Sequence, residues 1–184
     1  MFQEFENFFN ISYSNASSEN SDALMVFRDK YQGKDFGEGI YRVFSEEEVP
    51  KWKEIISEGY PDFTNEFEPF AYDWLGRCFA IDSRKNTIGN ILLFEIGTAD
   101  VLEIPCDFVD FHNEEIPMYN ESCLASTFFK EWKEVNKQIL EHNKCVGYKI
   151  PLFLGGNDEI SNLELSDMEV YWFICSSAKC KSSN

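Results

Sequence analysis

Long apolar runs are absent from this sequence of 184 residues. A membrane-spanning helix needs about 18 consecutive apolar residues, and no stretch approaches that length. The first residues carry Glu4 and Glu6 where an export signal would have positive charge, and no apolar segment follows them. We therefore expect a cytoplasmic protein rather than one that is exported or embedded in a membrane.

Basic residues are also scarce. The chain has 16 Lys and Arg against 33 Asp and Glu, which gives a formal net charge of −17. A surface of this sign repels phosphates, so direct binding to nucleic acid or to an anionic membrane is disfavoured. A basic protein is the favoured kind of partner, because opposite electrostatic fields steer two molecules together.

The sequence also lacks the composition that is typical of disordered proteins. Apolar residues make up 43% of the sequence and aromatic residues 16%, with 18 Phe. Such a chain can bury a sizeable core, and its length is that of one domain or of one domain with a short appendage. No CxxC motif occurs among the six cysteines, so we expect reduced thiols in a reducing compartment.

Helices are predicted near the start of the chain and after a capping motif. Residues 2–9 suit a short amphipathic helix, and residues 21–33 suit a second one. The spacing of Ser45 and Glu48 is that of a capping box at the start of a third helix. Pro50 lacks a backbone donor, which places the start of that helix close to the proline.

Two further helices are predicted from longer patterns. The clearer one is capped by Ser122, and its apolar stripe is Leu124, Phe128, Trp132, Val135 and Ile139. Residues 168–181 fit either an alternating strand or a helix, and we favour the helix. That helix would bury one apolar face, formed by Val170, Tyr171, Ile174 and Ala178.

Strands fill the middle of the sequence. Short apolar segments with hairpin spacing lie at 40–44, 67–74, 78–81, 91–96 and 101–104. Residues 145–154 form a further strand or extended run, and residues 107–120 have no regular pattern. We predict an α+β fold, with a mainly antiparallel sheet of about five to six strands packed by helices.

The chain has two histidines that could support catalysis or metal binding. His142 follows the long predicted helix, where a surface histidine suits the helix dipole. His112 lies in an acidic segment that could hold a divalent cation or be a solvated loop anchored by Phe108 and Phe111. We favour the loop and predict no metal, cofactor or catalytic site, because no cation-loop spacing is present. The carboxylates of the segment are Asp107, Asp110, Glu114 and Glu115.

Two other patterns have ordinary structural explanations. The pair Gly155 and Gly156 lacks the flanking residues of a phosphate-binding loop and predicts a tight turn. Trp74 and Trp172 could line a pocket, but large aromatic side chains more often belong to a core.

Two long stretches contain no basic residue. The first lies between Lys85 and Lys130, and the second runs from residue 150 to residue 178. If they meet in the fold they form one strongly negative surface, although a charge excess also serves general solubility. The candidate residues for binding a partner on this surface are Asp107, Asp110, Glu114, Glu115, Asp158 and Glu159.

Five segments, in this order, resemble a known bacterial family. They are FGEGIYRVF at 36–44, FAYDWLGRCFAID at 70–82, FHNEE at 111–115, CVGYKIPLFLGG at 145–156, and NLE, SD and EVYW within 162–172. The family is named for the C-terminal domain of type VI secretion immunity proteins that neutralise DNase effectors. Its fold is similar to that of the SUKH immunity superfamily, and its members often carry an N-terminal GAD-like segment.

The resemblance implies a non-enzymatic protein that binds and neutralises a cognate toxin, a nuclease, in the cytoplasm of the producing cell. Residues 1–35 would be a short helical segment of degenerate GAD-like type, and residues 36–184 the SUKH-like immunity domain. The toxin would be basic, because nucleases bind phosphates. Two alternatives remain open: a metal- or small-molecule-binding enzyme centred on His112, and a housekeeping interaction domain.

Overall fold

The computed structural model describes residues 1–11 and 22–182. Within them a six-stranded antiparallel sheet follows the order of the chain, so each strand pairs with the next one in sequence. Its strands are β1 Asp35–Phe36, β2 Tyr41–Val43, β3 Phe67–Asp73, β4 Cys78–Asp82, β5 Ile91–Glu95 and β6 Asp100–Ile104. A separate antiparallel pair consists of β7 Lys144–Tyr148 and β8 Leu163–Asp167. The predicted α+β class with a mainly antiparallel sheet is confirmed.

Helices precede, interrupt and follow the strands. They are α1 Gln3–Phe8, α2 Ala23–Tyr31, α3 Val49–Gly59, α4 Phe108–Asp110, α5 Ile116–Met118, α6 Asn120–Leu124, α7 Ser126–Val135 and α8 Met168–Ser182. A π-helical turn, Phe111–Glu115, joins α4 to α5. The segment 107–120, predicted to be irregular, is therefore mostly helical, because Asp107 caps its start and its phenylalanines pack inward.

The capping box predicted at Ser45 forms in part: Glu48 binds back to Ser45, but the residue that precedes the helix is Glu48 and not Ser45. The Glu48 carboxylate accepts from the Ser45 backbone N–H at 2.7 Å and from the Ser45 hydroxyl at 2.8 Å. The helix itself begins at Val49, with Pro50 in its first turn, where a missing N–H costs nothing. The predicted start near Pro50 is confirmed.

Both faces of the six-stranded sheet are covered. Alternate residues of a strand point to opposite faces, and in β5 Ile91 and Leu93 join one apolar cluster while Leu92 and Phe94 join another. The first core lies under α1, α2 and α7, and the second core lies under α3 and α8. Trp74 in the first core and Trp172 in the second are fully buried, which confirms that both belong to cores.

The second core requires close contact between α3 and α8. A Cβ at Gly59, the last residue of α3, would meet the Ser176 hydroxyl at 2.9 Å. Lys179 of α8 donates to the Gly59 carbonyl at 2.9 Å and so binds the C-terminal end of α3. The indole N–H of Trp172 donates to the Gly76 carbonyl at 2.8 Å, which ties α8 to the β3–β4 turn.

The first core includes the N-terminal helix. Phe2 and Phe5 are buried in the same cluster as Phe79 and Leu93 of the sheet. The predicted boundary after residue 35 therefore runs through one continuous apolar cluster. The interpretation of residues 1–35 as a GAD-like segment remains a prediction.

The prediction of one long helix after Ser122 is wrong in two respects. It is broken at Ala125, whose φ of 49° is left-handed and ends α6 before α7 begins. It also stops at Val135, so the predicted stripe is not continuous. Val135 is 67% exposed and Ile139 82% exposed, because the chain leaves the helix and runs extended towards β7.

The C-terminal helix α8 is confirmed, and Tyr171 is buried as predicted, but the prediction of its buried face is wrong for Val170 and Ile174. Met168, Tyr171, Trp172 and Cys175 are buried, whereas Val170 and Ile174 face solvent. The face that contains Trp172 is the buried one, because Trp172 fills the space between α3 and the β3–β4 turn. The predicted extended run 145–154 is also shorter than expected, since β7 ends at Tyr148 and a 3₁₀ turn occupies Leu152–Leu154.

Candidate functional site

The acidic segment places its carboxylates on one exposed side. The Asp107 carboxylate accepts from the backbone N–H groups of Val109 and Asp110, at 2.8 and 2.9 Å, and caps α4. Asp110 and Glu114 are exposed, while Phe108 and Phe111 are buried in the first core. This arrangement is the predicted acidic segment anchored by two phenylalanines.

Glu115 is less exposed than its acidic neighbours. It is half-buried, and its carboxylate lies 4.0 Å from the thiol of Cys123. Burial, followed by the Glu115 charge, raises the pKa of the Cys123 thiol to about 12, and the same causes raise the pKa of Cys106 to about 12. Both thiols therefore stay protonated at neutral pH, in surroundings of negative potential.

His112 points away from these carboxylates into the first core. Its Nδ1 donates to the Phe108 carbonyl at 2.7 Å, because a carbonyl can only accept, and its Nε2 then accepts from the Tyr41 hydroxyl at 2.9 Å. Burial lowers the pKa of His112 to about 3, so the ring is neutral. The acids and the histidine lie on opposite sides of the segment and are not brought together as a site.

Asp158 and Glu159 lie in the loop between β7 and β8. The Tyr148 hydroxyl donates to Asp158 at 2.7 Å, and Glu159 accepts from the Ser161 hydroxyl at 3.4 Å. Both carboxylates are exposed. Their hydrogen bonds lie within the β7–β8 connection, and one negative surface shared with the acidic segment remains a prediction.

Asp158 also borders the cavity around Arg77. Arg77 donates to Asp73 at 2.6 Å, to Glu95 at 2.7 Å and to the Cys123 carbonyl at 2.9 Å. Burial lowers the pKa of Arg77, but the two carboxylates outweigh it and raise the pKa above its ordinary value. The cavity is about 150 Å³. We interpret this cluster as structural, since Arg77 is committed to groups that hold β3, β5 and α6 together.

His142 is a charged link between three segments, rather than the isolated surface histidine that the sequence predicts. Its Nδ1 lies 2.9 Å from Asp35 and its Nε2 lies 3.3 Å from Glu48. The hydrogen bond with Asp35, followed by that with Glu48, raises the pKa of His142 to about 9. Beside it, the buried Arg42 donates to the carbonyls of Glu141 and Lys144, at 3.0 and 2.5 Å, which fixes the segment before β7.

Neither a metal site nor a membrane span is visible in residues 1–11 and 22–182. No three His, Cys, Asp or Glu side chains of these residues are arranged to hold a metal ion. None of the helices described is long and apolar enough to cross a bilayer.

The outer side of α8 is an exposed apolar feature that the sequence patterns did not predict. Val170, Phe173 and Ile174 are 53%, 68% and 57% exposed. Val170 and Ile174 were predicted to be buried together with Tyr171 and Ala178, and Phe173 was not assigned to either face. The signal that could have corrected this is the second apolar face of the same helix, formed by Met168, Tyr171, Trp172 and Cys175.

A comparison with protein families matches residues 107–178 to the family described as T6SS immunity protein Tdi1, C-terminal. The match confirms the family predicted from the five sequence segments. It spans the acidic segment, α7, β7, β8 and most of α8. An immunity role connected with type VI secretion is thereby supported, and the suggested relation to the SUKH superfamily remains a prediction.

A comparison with solved structures finds a fold relative, described as the crystal structure of Atu4351 from Agrobacterium tumefaciens. The TM-score is 0.60 at 12% sequence identity, over 97% of this chain and 89% of the other. At this identity the likeness shows a shared fold alone. No curated protein matches the sequence.

Proposed function

We propose that this chain is an immunity protein that binds a cognate toxin and neutralises it without any catalysis of its own. The match of residues 107–178 to an immunity-protein family is the observation that carries this proposal. The arrangement of the polar groups fits it, because His112 and Arg77 are both engaged in holding the fold together.

The toxin is a basic protein, and we propose a nuclease. A nuclease needs a positive surface to hold phosphates, and a net charge of −17 attracts such a surface over about 10 Å at moderate salt. Encounter takes place in the cytoplasm, where an immunity protein meets a nuclease before the toxin reaches DNA. Blocking the phosphate-binding surface is enough to neutralise it.

The acidic residues Asp107, Asp110, Glu114, Glu115, Asp158 and Glu159 are proposed to steer the toxin. Asp110, Glu114, Asp158 and Glu159 are exposed and contribute most, while Asp107 is engaged in capping α4 and Glu115 is half-buried. Charges of this kind act mainly on the rate of association, because they work before contact is made.

The proposal is tested with the polypeptide encoded beside the gene for this protein, prepared with its catalytic residues replaced. We expect a stoichiometric complex with the wild-type chain, and rescue of growth when the chain is co-expressed with the active toxin. A catalytically active toxin that is neither bound nor neutralised would favour a housekeeping interaction domain.

Steering is tested by the double charge reversal Asp110→Lys and Glu114→Lys. We expect association to slow about 10-fold at low salt and to lose much of its salt dependence. The matched control is Glu46→Lys with Glu47→Lys, which changes the net charge equally on two exposed residues in the turn before α3. Equal slowing by the two double variants in stopped-flow measurements would contradict a specific acidic patch and leave only the effect of net charge.

A further inference from the structure

The outer side of α8 carries a contiguous apolar surface, which we call the α8 face. It consists of Val170, Phe173 and Ile174, all more than half exposed. Residues three and four positions apart are neighbours on a helix, so the three side chains adjoin one another. The opposite side of the same helix is buried by Tyr171, Trp172 and Cys175.

A helix that is apolar on both sides is typical of a buried position. Single exposed apolar residues are common on any protein surface, but adjoining ones that include an aromatic ring mark sites of interaction. In the described part of the chain, the inner side of α8 packs on α3 and the sheet, and the α8 face is open to solvent.

A groove between α3 and α8 adjoins Phe173. Its volume is about 300 Å³, and its lining combines Phe173 and the half-buried Ile55 with charged residues. Lys51 and Glu169 cross its edge as an ion pair. Each helix therefore contributes one apolar side chain to the groove, Ile55 from α3 and Phe173 from α8, among polar and charged ones.

The remaining charges of the groove are negative. Glu54 and Glu58 are exposed, lie one helical turn apart on α3, and have no ion-pair partner among the described residues. Because Lys51 is already paired with Glu169, the groove presents two uncompensated carboxylates beside an aromatic ring. Lysine or arginine side chains complement such an arrangement.

We propose that the α8 face and the α3–α8 groove anchor the toxin. They would take an apolar side chain against Phe173, flanked by Lys or Arg side chains that reach Glu54 and Glu58. This inference rests on the proposed function and adds to it the place where contact is made, whereas the acidic residues of the preceding section act before contact. A second copy of this chain is a poor occupant, because a two-fold dimer through this surface would bring Glu54 and Glu58 close to their own copies.

The test measures association and dissociation rates with the inactive toxin described above, whose catalytic residues have been substituted. Phe173→Ser and Ile174→Ser are each expected to raise the dissociation rate at least 10-fold, as removal of an anchor does, with the association rate changed less than 2-fold. Phe173→Leu keeps an apolar contact and is expected to retain most of the affinity. Both positions are exposed, so unchanged circular dichroism of each variant is expected to show that the fold is intact.

The matched control is Ile88→Ser, which removes an isoleucine that is 73% exposed in the turn between β4 and β5. It is expected to leave both rates unchanged. A second variant, Glu54→Lys with Glu58→Lys, is expected to weaken binding at least 10-fold and to leave the isolated protein folded.

Three outcomes would overturn the inference. Wild-type binding with unchanged dissociation in Phe173→Ser and Ile174→Ser would overturn this anchor and leave the proposed function standing. Absence of binding and of neutralisation by the wild-type chain would overturn both. A dimer of the isolated protein in sedimentation experiments, which Phe173→Ser converts to a monomer, would assign the α8 face to self-association instead.

Discussion

His112 and His142 lie in regions that shift the pKa of a histidine in opposite directions. His112 lies in the first core, where the ring of Phe27 is 4.1 Å away and both ring nitrogens have neutral partners. His142 lies at the edge of the sheet between the carboxylates of Asp35 and Glu48. The core excludes the charge and lowers the pKa of His112 to about 3, whereas the carboxylates raise the pKa of His142 to about 9.

The difference predicts a stability maximum near pH 6.5 from these two residues together. The unfolded chain binds a proton at a histidine with a pKa of about 6.5. Between about pH 6.5 and pH 3 His112 is protonated in the unfolded state but neutral in the native state, so stability falls as the pH falls. Between about pH 6.5 and pH 9 native His142 keeps a proton that the unfolded state has lost, so stability falls as the pH rises.

Removing the buried histidine should have the largest effect. His112→Phe deprives the Tyr41 hydroxyl and the Phe108 carbonyl of their partners, and we expect it to lower the free energy of unfolding by about 2–4 kcal/mol at pH 7. We expect the deficit relative to wild type to shrink by about 2 kcal/mol between pH 6.5 and pH 4.5, because only the wild type has this titration. Urea denaturation at both pH values measures it, and a pH-independent deficit would contradict the inward, neutral state of His112.

Removing the charged histidine should cost less and have the opposite pH dependence. His142→Gln is expected to lower the free energy of unfolding by about 1–2 kcal/mol at pH 6, a value reduced for the partial exposure of the ring. The charge on native His142 stabilises the fold fully below about pH 6.5, and this stabilisation is lost as the pH rises through 9. We therefore expect wild type and His142→Gln to be equally stable at pH 9.5. Asp35→Asn, which removes one partner, should reproduce part of this loss, and a full deficit at pH 9.5 would argue against the ion pair.

The smallest effect is expected at the capping box, which shares Glu48 with His142. Ser45→Ala removes one hydrogen bond to the Glu48 carboxylate and should cost about 1 kcal/mol. Unlike the histidine substitutions, it should cost the same at pH 6 and at pH 9.5, since no proton is gained or lost. Thermal unfolding at the two pH values tests this, and a cost confined to pH 6 would mean that Ser45 acts through His142.

Local sequence signals predicted the fold well where one segment decides the outcome. Ser45, Glu48 and Pro50 set the start of α3 between them, and the hairpin spacing of the segments at 78–81 and 91–96 sufficed for the central strands. The outer position of Asp110 and Glu114 also followed from neighbouring phenylalanines that had to be buried. Each of these results depends on residues a few positions apart.

The predictions failed where a choice depended on distant residues. Helix α8 has two apolar faces, and only the presence of α3 and the β3–β4 turn decides that Trp172 is buried and Ile174 is not. The break at Ala125 has no glycine or proline to announce it.

Helix α1 has a consequence for the order in which the chain acquires its structure during synthesis. Every pairing in the six-stranded sheet joins strands that leave the ribosome one after the other, so the sheet can assemble as it emerges. The backbone N–H of Glu4 instead bonds to Asn113, and the ring of Phe2 packs on that of His112. Phe2 and Phe5 can pack on Phe27 and Tyr31 early in synthesis, but their side of the first core is completed only when Phe108 and His112 have been made. Helix α1 is therefore expected to stay partly uncovered, and accessible to a chaperone, until after the six-stranded sheet has been synthesised.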